Sequence, residues 1–497
     1  MRSSIKNSTC QLESIGPRDC HTSLHSVRND ATIHVIARRP RRRGNLLLAT
    51  IMLSLVCTAA YTQTVQSTIS TEGLSKKLDL QDPVTFSDTV IQADKIAVID
   101  PTQLRQTMLG IGNSLEPTTC YNLSKLPKDE RDKAIQNLVH PKRGIGMNLM
   151  RICIGTPDFT GDDWYSYCDS PDGTPDPELK HFSIDRDKDY ILPILKQALA
   201  ENPDLLFFAS PWSPPGWMTT TSNMIGGELK PEYYAAYARY FVKFIRAYEA
   251  EGIPIHAITI QNEPGVDRSK EDDPKWFYPS CHWTGEQERD FIKGHLGPLF
   301  ESEKIDTLIW SYDHNYNAKP TPDGDDPGIS YPITVLSDPE AAQYVDGVGF
   351  HGYAGSPKGM LIFGEQFPDT PYYFTEGSKF GTQGARKIMD LFNNGASSYN
   401  AWVTMIDTKG KPNNGPFQAS KTSIIRNLDT NTVDYRFDFY MYGQFSRYIQ
   451  RGARRIEVGE SALPMVAFKN PDDTIVVITA NTKKESKTLT LKYDDKY

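Results

Sequence analysis

The chain has 497 residues and a formal net charge of −8, with 23% charged and 11% aromatic residues. This length allows two domains, or one barrel with an appended module. The mild acidity, with no basic and aromatic patch after the N-terminal region, argues against nucleic acid as a partner.

The first 60 residues differ from the rest of the chain. Residues 1–44 are polar and end in a basic cluster, so we expect a disordered basic lead. Residues 45–60 form a short apolar run with a basic flank and small residues at its end, which is typical of a signal peptide. The run is shorter than the about 20 residues of a membrane-spanning helix. The sequence therefore favours a secreted or periplasmic protein over a membrane-anchored one, followed by a linker at residues 61–83.

Eight apolar strand candidates alternate with helical segments over residues 105–452. The strands are expected at residues 108–111, 148–154, 205–210, 255–261, 307–310, 347–351, 372–375 and 399–403. Alternation of strand and helix predicts a parallel sheet, and eight repeats predict a closed (β/α)8 TIM barrel. The predicted fold class is therefore α/β.

A second pattern, of strands without helices, occupies residues 453–497 and predicts a small antiparallel β-sandwich. These strands are too few for a complete sandwich, which normally needs about seven. Strands from residues 84–104 are expected to join this β module, which would tie the two ends of the fold together.

Cysteine usage gives little support for metal binding. Cys120, Cys153, Cys168 and Cys281 lie in the part expected to fold, and no Cys-x-x-Cys pair occurs. A zinc site is therefore not expected. Export would permit disulfides, but the sequence does not define a pairing.

Two carboxylates end predicted barrel strands. One strand stops in Asn262-Glu263-Pro264, where Pro264 is expected to restrict Glu263 to extended backbone angles, and another stops at Glu376. Strand tips face each other across the mouth of a barrel, which is where barrel enzymes carry their chemistry.

Such a pair is what glycosidic hydrolysis requires. We assign Glu263 as the acid/base and Glu376 as the nucleophile, and expect negative charge nearby to raise the pKa of the acid. A carboxyl separation of roughly 5 Å would imply retention of configuration, and one beyond roughly 7 Å inversion.

Several segments resemble one enzyme family. Residues 259–264 (Thr-Ile-Gln-Asn-Glu-Pro) and 373–377 (Tyr-Phe-Thr-Glu-Gly) resemble glycoside hydrolase family 30, whose best-known members are the glucosylceramidases. Segments 144–151, 209–217, 337–342 and 442–449 are also similar. The resemblance implies a retaining β-glycosidase of clan A, built from a barrel and a side-on β-sandwich, with no cofactor and no metal.

The resemblance also suggests roles for residues around the two carboxylates. Asp158, Trp212, Asn262, Tyr353 and Trp402 are expected to bind substrate. Arg151 is expected to pair with Glu376, and His351 to support the site at the end of the sixth strand. Tyr353 could donate a hydrogen bond to Glu376. His314 is expected to be a solvated loop residue.

The leading hypothesis is a secreted retaining β-glycosidase that hydrolyses β-glucosides, of the glucosylceramidase type. Departures from the glucosylceramidase pattern, such as Gly352, Gly377 and Val403, keep other family activities open: endo-β-1,6-glucanase, xylanase, or β-fucosidase and galactosidase. A non-catalytic carbohydrate-binding barrel is the alternative from another class. The expected partner is a β-linked glycoside or polysaccharide, or a lipid at a membrane surface; the oligomeric state is left open.

Overall fold

A computed structural model describes residues 31–37, 64–89, 95–418 and 421–497. Two sheets dominate it, a parallel sheet of eight strands and a sheet of nine strands. The predicted signal peptide at residues 45–60 lies outside the described residues. Within the described ranges, no helix has an apolar stretch long enough to cross a membrane.

The strands are numbered in chain order. They are β1 (Ala31–Ala37), β2 (Thr64–Thr71), β3 (Asp79–Leu80), β4 (Val84–Thr85), β5 (Ile96–Thr107), β6 (Gly110–Gly112), β7 (Leu149–Cys153), β8 (Leu206–Ser210), β9 (Ile225–Glu228), β10 (Ile255–Thr259), β11 (Ser280–His282), β12 (Leu308–Asn315), β13 (Gly347–His351), β14 (Tyr372–Glu376), β15 (Ser398–Asn400), β16 (Met405–Asp407), β17 (Ile424–Asn427), β18 (Thr432–Tyr435), β19 (Arg454–Val458), β20 (Met465–Lys469), β21 (Ile475–Ala480) and β22 (Thr490–Lys492).

The α-helices are numbered in the same way. They are α1 (Pro117–Ser124), α2 (Lys128–Val139), α3 (Ile191–Glu201), α4 (Tyr234–Ala250), α5 (Gly285–Phe291), α6 (Gly297–Glu303), α7 (Ser330–Leu336), α8 (Pro339–Ala342), α9 (Lys358–Gln366), α10 (Gly381–Asn393) and α11 (Phe437–Ser446). A π-helical turn, Ile292–Leu296, joins α5 to α6. Short 3-10 turns occur at Asp185–Lys188, Gly216–Met218, Pro231–Tyr233, Arg268–Lys270 and Pro274–Trp276.

The eight-stranded parallel sheet is the predicted barrel. Its strand order is β6-β15-β14-β13-β12-β10-β8-β7. A parallel bridge between Ser114 and Arg151 connects the chain after β6 to β7 and brings the ends of the sheet together. The helices that follow these strands bury their apolar stripes; α4, for example, buries Tyr237, Phe241 and Ile245 completely. The (β/α)8 prediction is confirmed.

An apolar layer fills one end of the barrel interior. It consists of Leu149, Phe208, Ala257, Trp310 and Tyr373, one residue from each of five strands. The Trp310 and Tyr373 rings stack with centroids 4.2 Å apart, and those of Phe208 and Trp310 lie 5.1 Å apart. We call these five residues the apolar layer.

The nine-stranded sheet forms the β module. Its order is β22-β5-β19-β20-β21-β1-β2-β3, with β4 paired to β2. β5 pairs with β19 and β22, so strands from before the barrel join strands from after it, as the sequence predicts. Apolar residues such as Ala97, Ile456 and Val477 form its core.

The predicted lead and linker both contain strands that were not predicted from the sequence. β1 lies within the predicted disordered lead, and β2 within the predicted linker at residues 61–83. β1 pairs with β2 and with β21. β2 is rich in Ser and Thr, which suggested a linker, but its Val, Ile and Thr residues are β-branched and suit a half-buried pleated strand.

The four cysteines of the described ranges, Cys120, Cys153, Cys168 and Cys281, are free and buried. No disulfide therefore links them. Burial raises the pKa of Cys153, as expected of a thiol that packs in a core.

Candidate active site

Glu263 and Glu376 line the same cleft at the mouth of the barrel. The cleft has a volume of about 750 Å³. Glu376 is the last residue of β14, and Glu263 follows β10 by four positions. The two carboxylates that the sequence singled out thus face a shared space large enough for a small ligand.

A polar layer lies directly above the apolar layer, towards this cleft. It consists of Arg151, Ser210, Thr259, Asp313 and Thr375, all fully buried. In four of the five strands the polar residue follows the apolar one by two positions, because alternate residues of a strand face the same side. We call these five residues the polar layer.

β12 departs from this spacing. Its polar residue, Asp313, follows Trp310 by three positions, and the pairing with β13 shifts between Tyr312 and His314. Tyr312 and Asp313 have φ angles of 75° and 84°. This bulge inserts one residue, so that Asp313 and the adjacent His314 both turn towards the barrel interior and its cleft.

Asp313 is the hub of the polar layer. Its Oδ2 accepts hydrogen bonds from Arg151 at 2.7 Å, Thr259 at 2.8 Å and Ser210 at 2.9 Å. Its Oδ1 accepts one from Thr375 at 2.6 Å and lies 3.0 Å from His351 Nε2. Burial alone would raise the pKa of Asp313, but the Arg151 and His351 charges and these hydrogen bonds lower it, so the carboxylate is ionised.

Gly349 of β13 makes room for this hub. A Cβ at position 349 would lie 3.2 Å from Asp313 Oδ1 and equally close to Thr375. The absent side chain therefore lets the carboxylate sit beside β13.

Glu376 is held from two sides. Arg151 donates a hydrogen bond to Oε2, and the Tyr353 hydroxyl donates one of 2.7 Å to Oε1. Both contacts were predicted from the sequence and are confirmed. They fix the positions of both carboxylate oxygens of Glu376, as a nucleophile requires.

Glu263 contacts a different cation. Its Oε1 lies 3.1 Å from His351 Nδ1 and 3.7 Å from His314 Nδ1. Burial would raise the pKa of Glu263, but the hydrogen bond with His351 and the positive charge beside this carboxylate outweigh it and lower the pKa to about 2. The expected rise in the pKa of the acid is therefore wrong for the free protein, because the positive charge next to Glu263 outweighs the effect of burial.

The backbone of Glu263 also differs from its prediction. Its φ angle is 50°, in the left-handed region, although Pro264 was expected to keep this residue extended. The Glu263 amide donates to the Asp313 carbonyl at 3.1 Å, and Val266 donates back to the Glu263 carbonyl at 2.9 Å. These tertiary contacts impose a conformation that costs a non-glycine residue about 1–3 kcal/mol.

His351 lies between three carboxylates. It contacts Glu263 through Nδ1 and Asp313 through Nε2, and its Nε2 is 3.9 Å from Glu376 Oε2. Burial opposes protonation, but the charges of Glu376 and Asp313 and the two hydrogen bonds raise the pKa of His351 to about 10. The imidazolium therefore balances negative charge at the centre of the site.

The other predicted substrate-binding residues line the same cleft. The Trp212 and Trp402 rings stack with centroids 5.0 Å apart, and the Arg151 guanidinium lies 4.8 Å and 5.4 Å from them. Asn262 Oδ1 accepts a hydrogen bond from Arg151 at 2.8 Å. Asp158 is buried, and its Oδ1 has no hydrogen-bond partner among the described residues, which leaves this oxygen free to bond a ligand.

Two residues were misjudged or missed from the sequence. His314 was expected on a solvated loop but lies at 3% exposure in β12, because this strand extends five residues beyond its predicted end. Asp313 was not predicted at all. The polar run Tyr312-Asp313-His314-Asn315 directly after an apolar strand was the signal for both residues, since polar strand tips gather at a barrel mouth.

Aromatic residues continue the cleft outwards. Phe417 and Tyr278 line it, with ring centroids 5.5 Å apart, and Trp276 lies 6.2 Å from Phe417. Trp276 is 37% and Phe417 40% exposed, which is unusual for rings of this size. We call these three residues the aromatic rim.

A (β/α)8 barrel with paired carboxylates, aromatic walls and a buried arginine at its mouth defines the class of glycoside hydrolases. The family models agree: residues 108–449 match the glycosyl hydrolase family 30 TIM-barrel domain, and residues 452–497 match the glycosyl hydrolase family 30 beta sandwich domain. The chain belongs to glycosyl hydrolase family 30, so it is a glycoside hydrolase by family.

Relatives with different substrates are similar to this chain. An endo-1,6-beta-D-glucanase of Neurospora crassa is 31% identical over 459 residues, covering 87% of this chain and 91% of the relative. Putative glucosylceramidase 4 of Caenorhabditis elegans is 30% identical, covering 77% and 76%. The solved structure of an endo-beta1,6-glucanase superposes with a TM-score of 0.76 at 28% identity, covering 94% of this chain and 96% of that one.

Proposed function

We propose that this protein is a retaining endo-β-1,6-glucanase in which Glu376 is the nucleophile and Glu263 the acid/base. The observation that carries the hydrolytic part is the arrangement of the two carboxylates. They line one cleft, and each has its own cationic partner: Arg151 for Glu376 and His351 for Glu263. A site that only bound sugar would not need two buried carboxylates with separate cations.

The reaction has two steps. In the first, a Glu376 oxygen attacks the anomeric carbon, the glycosidic bond breaks, and Glu263 gives its proton to the leaving oxygen. In the second, Glu263 takes a proton from water, the water oxygen attacks the anomeric carbon, and the bond to Glu376 breaks. One water is consumed, and the two displacements together retain the anomeric configuration.

Glu263 must carry a proton when the glycosidic bond breaks. In the free protein the low pKa of Glu263 keeps it ionised. A bound glycan covers the cleft and removes water from this carboxyl, which raises its pKa. His351, whose Nδ1 lies 3.1 Å from Glu263 Oε1, is the neighbouring group from which a proton can pass.

Two observations support a polysaccharide substrate. Endo-1,6-glucanases are among the relatives with the widest coverage of this chain. The aromatic rim extends the cleft beyond the carboxylates, and exposed rings suit the apolar faces of further sugar units. Both favour a chain-like glycan over a single sugar on a lipid.

Glucosylceramide is the second candidate, because a putative glucosylceramidase is 30% identical to this chain. The two candidates share the first sugar site and differ in what occupies the leaving-group side. Product analysis separates them.

The test is to incubate the protein with linear β-1,6-glucan and, separately, with glucosylceramide in detergent micelles. We expect a ladder of β-1,6 oligosaccharides from the glucan, with the β-anomer formed first by proton NMR. Glucose as the sole early product would contradict endo action, and first formation of the α-anomer would contradict retention. Faster release of glucose from glucosylceramide than cleavage of glucan would favour the second candidate. No release from any β-glycoside would favour a binding-only barrel.

A further inference from the structure

Three metal-ligand atoms converge at one side of the cleft. They belong to Glu263, His314 and His351, one atom from each residue, and lie within 4.8 Å of one another. The oxygen is 3.1 Å from His351 Nδ1 and 3.7 Å from His314 Nδ1. Donors about 2.0–2.1 Å from a tetrahedral Zn²⁺ lie about 3.3 Å apart, so small side-chain adjustments would bring this set to metal-binding distances.

The hydrogen bonds of His314 fix which of its nitrogens faces the cluster. His314 Nε2 lies 2.8 Å from the carbonyl oxygen of Asp325. A carbonyl only accepts hydrogen bonds, so Nε2 carries the proton and donates it. In the neutral ring Nδ1 is then an unprotonated lone pair. That Nδ1 is buried and has no hydrogen-bond partner in the part of the chain that the structure describes, and it lies near the same carboxylate oxygen as His351 Nδ1 does.

Each of the two imidazoles has a hydrogen-bond partner at its other ring nitrogen, as is typical of metal-binding histidines. A histidine that binds a metal usually donates its other ring N–H to a carboxylate or a backbone carbonyl, which fixes the ring. His351 has the Asp313 carboxylate at Nε2 and His314 has the Asp325 carbonyl. Two oriented imidazoles and one carboxylate are a ligand set that Zn²⁺ and Cu²⁺ prefer over Mg²⁺ or Ca²⁺.

The cluster is also accessible. Glu263 and His314 line the cleft, so an ion can reach the three atoms from the substrate side, and its fourth position would face the cleft. The prediction of no zinc site rested on cysteine spacing and does not address histidines.

We propose that Glu263, His314 and His351 form a site for one divalent transition-metal ion, with Zn²⁺ as the probe, and that the bound ion reversibly inhibits hydrolysis. The metal replaces the His351 Nδ1 proton, which goes to solvent, and occupies the oxygen that the acid/base needs. The binding part stands by itself; the inhibition part rests on the proposed function.

The binding test uses full-length protein freed of metal by dialysis against a chelator. We expect one Zn²⁺ per chain by calorimetry, and a visible absorption band on adding one equivalent of Co²⁺, typical of tetrahedral coordination. His314→Ala and His314→Gln should each weaken Zn²⁺ binding at least about tenfold. His181→Ala, at an exposed position, is the matched control and should bind as the wild type does.

Melting curves identify any variant that loses the fold. Two different substitutions of His314 are used so that the test can proceed with the other if one of them misfolds. A wild-type protein without a stoichiometric Zn²⁺ heat or Co²⁺ band overturns the site, as does unchanged binding in both folded His314 variants. In the hydrolysis assay, we expect Zn²⁺ to abolish turnover and chelator to restore it. Zn²⁺ binding in a protein that cleaves no glycoside would leave the metal site standing and remove the proposed function. Hydrolysis of a β-glycoside by a protein that binds no Zn²⁺ would leave the proposed function standing and remove the metal site.

Discussion

The two layers inside the barrel come from the same strands but have opposite chemistry. The apolar layer is closed by packed rings, whereas the polar layer one step above buries Arg151 and Asp313 at 0% exposure. Packed rings stabilise the fold directly. Buried ion pairs contribute less, because desolvation offsets much of their attraction. Changes in the apolar layer are therefore expected to affect stability alone, whereas changes in the polar layer should also move the two carboxylates.

The largest expected effect comes from changing Glu376, the proposed nucleophile that Arg151 of the polar layer contacts. Glu376→Gln keeps the size of the side chain but removes the attacking oxyanion, so turnover should fall more than about 10⁴-fold. Initial rates on β-1,6-glucan measure it. Glu340→Gln, at an exposed position of α8, is the control and should keep wild-type turnover. Near-wild-type turnover of Glu376→Gln would remove the nucleophile assignment.

Changing the hub of the polar layer should damage both activity and stability. Asp313→Asn leaves Arg151 and His351 with one buried anion fewer, so turnover should fall about 10²-fold through misplaced carboxylates. The loss of a buried charge partner should also lower the free energy of unfolding by about 3–5 kcal/mol. Turnover measured well below the melting temperature, together with denaturant unfolding, separates the two effects. Unchanged turnover in the folded variant would contradict a positioning role.

The matching change in the apolar layer should affect stability alone. Trp310→Ala removes a fully buried ring that stacks on Tyr373, and should lower the free energy of unfolding by about 3–5 kcal/mol. Turnover per folded molecule should stay within about twofold of the wild type. Guanidinium unfolding and low-temperature kinetics measure both. A loss of turnover as large as that of Asp313→Asn would break the distinction between the layers.

A buried acid outside the barrel supports the bulge and makes stability depend on pH. Glu288 of α5 accepts hydrogen bonds from the Ser311 hydroxyl at 2.5 Å, the Tyr312 amide at 3.1 Å and the Tyr331 hydroxyl at 3.0 Å. Burial raises the pKa of Glu288 from 4.5 to about 7 despite these bonds.

The folded state therefore binds the extra proton between pH 4.5 and 7, so this stabilisation is full below pH 4.5 and is lost as pH rises through 7. It amounts to at most about 3 kcal/mol. Unfolding free energies at pH 5 and pH 8 should show a smaller difference in Glu288→Gln than in the wild type. An identical difference in both proteins would contradict the link.

The smallest effect is expected outside both layers, at the aromatic rim. Trp276→Ala should raise the KM for β-1,6-glucan about two- to tenfold, because one sugar–ring contact is lost. The KM for a nitrophenyl β-glucoside should not change, because its single sugar unit is expected to bind at the carboxylates. Leu361→Ala, an exposed apolar residue of α9, is the control. Equal increases in KM for both substrates would contradict a contact between Trp276 and the outer sugar units of the glucan.

The sequence predicted those parts of the site that follow from periodicity and local motifs. Runs of apolar residues that end in Glu263 or Glu376 identify strand tips, and parallel strands in a barrel bring their tips to one mouth. The contacts of Arg151 and Tyr353 with Glu376 were also predicted, from similarity to the family.

The remainder depends on contacts distant in sequence. The bulge in β12 is set by pairing with β13 and by the hydrogen bonds from Glu288, and no local motif encodes it. It turns both Asp313 and His314 inwards, which is why one was missed and the other was assigned to solvent. The left-handed φ of Glu263 likewise comes from the hydrogen bond that its backbone N–H donates to the Asp313 carbonyl. This contact overrides the preference for extended backbone angles before a proline.

The β module has a consequence for how the polypeptide is made. β5 emerges from the ribosome hundreds of residues before β19 and β22, between which it lies in the finished sheet. Domains usually fold as they are synthesised, with the N-terminal part first. Here the early strand must wait with unpaired edges until β19 and β22 have been synthesised, so the barrel strands are available for pairing before those of the β module. Slow elongation between β5 and β19 would prolong that wait and favour aggregation through the open edge.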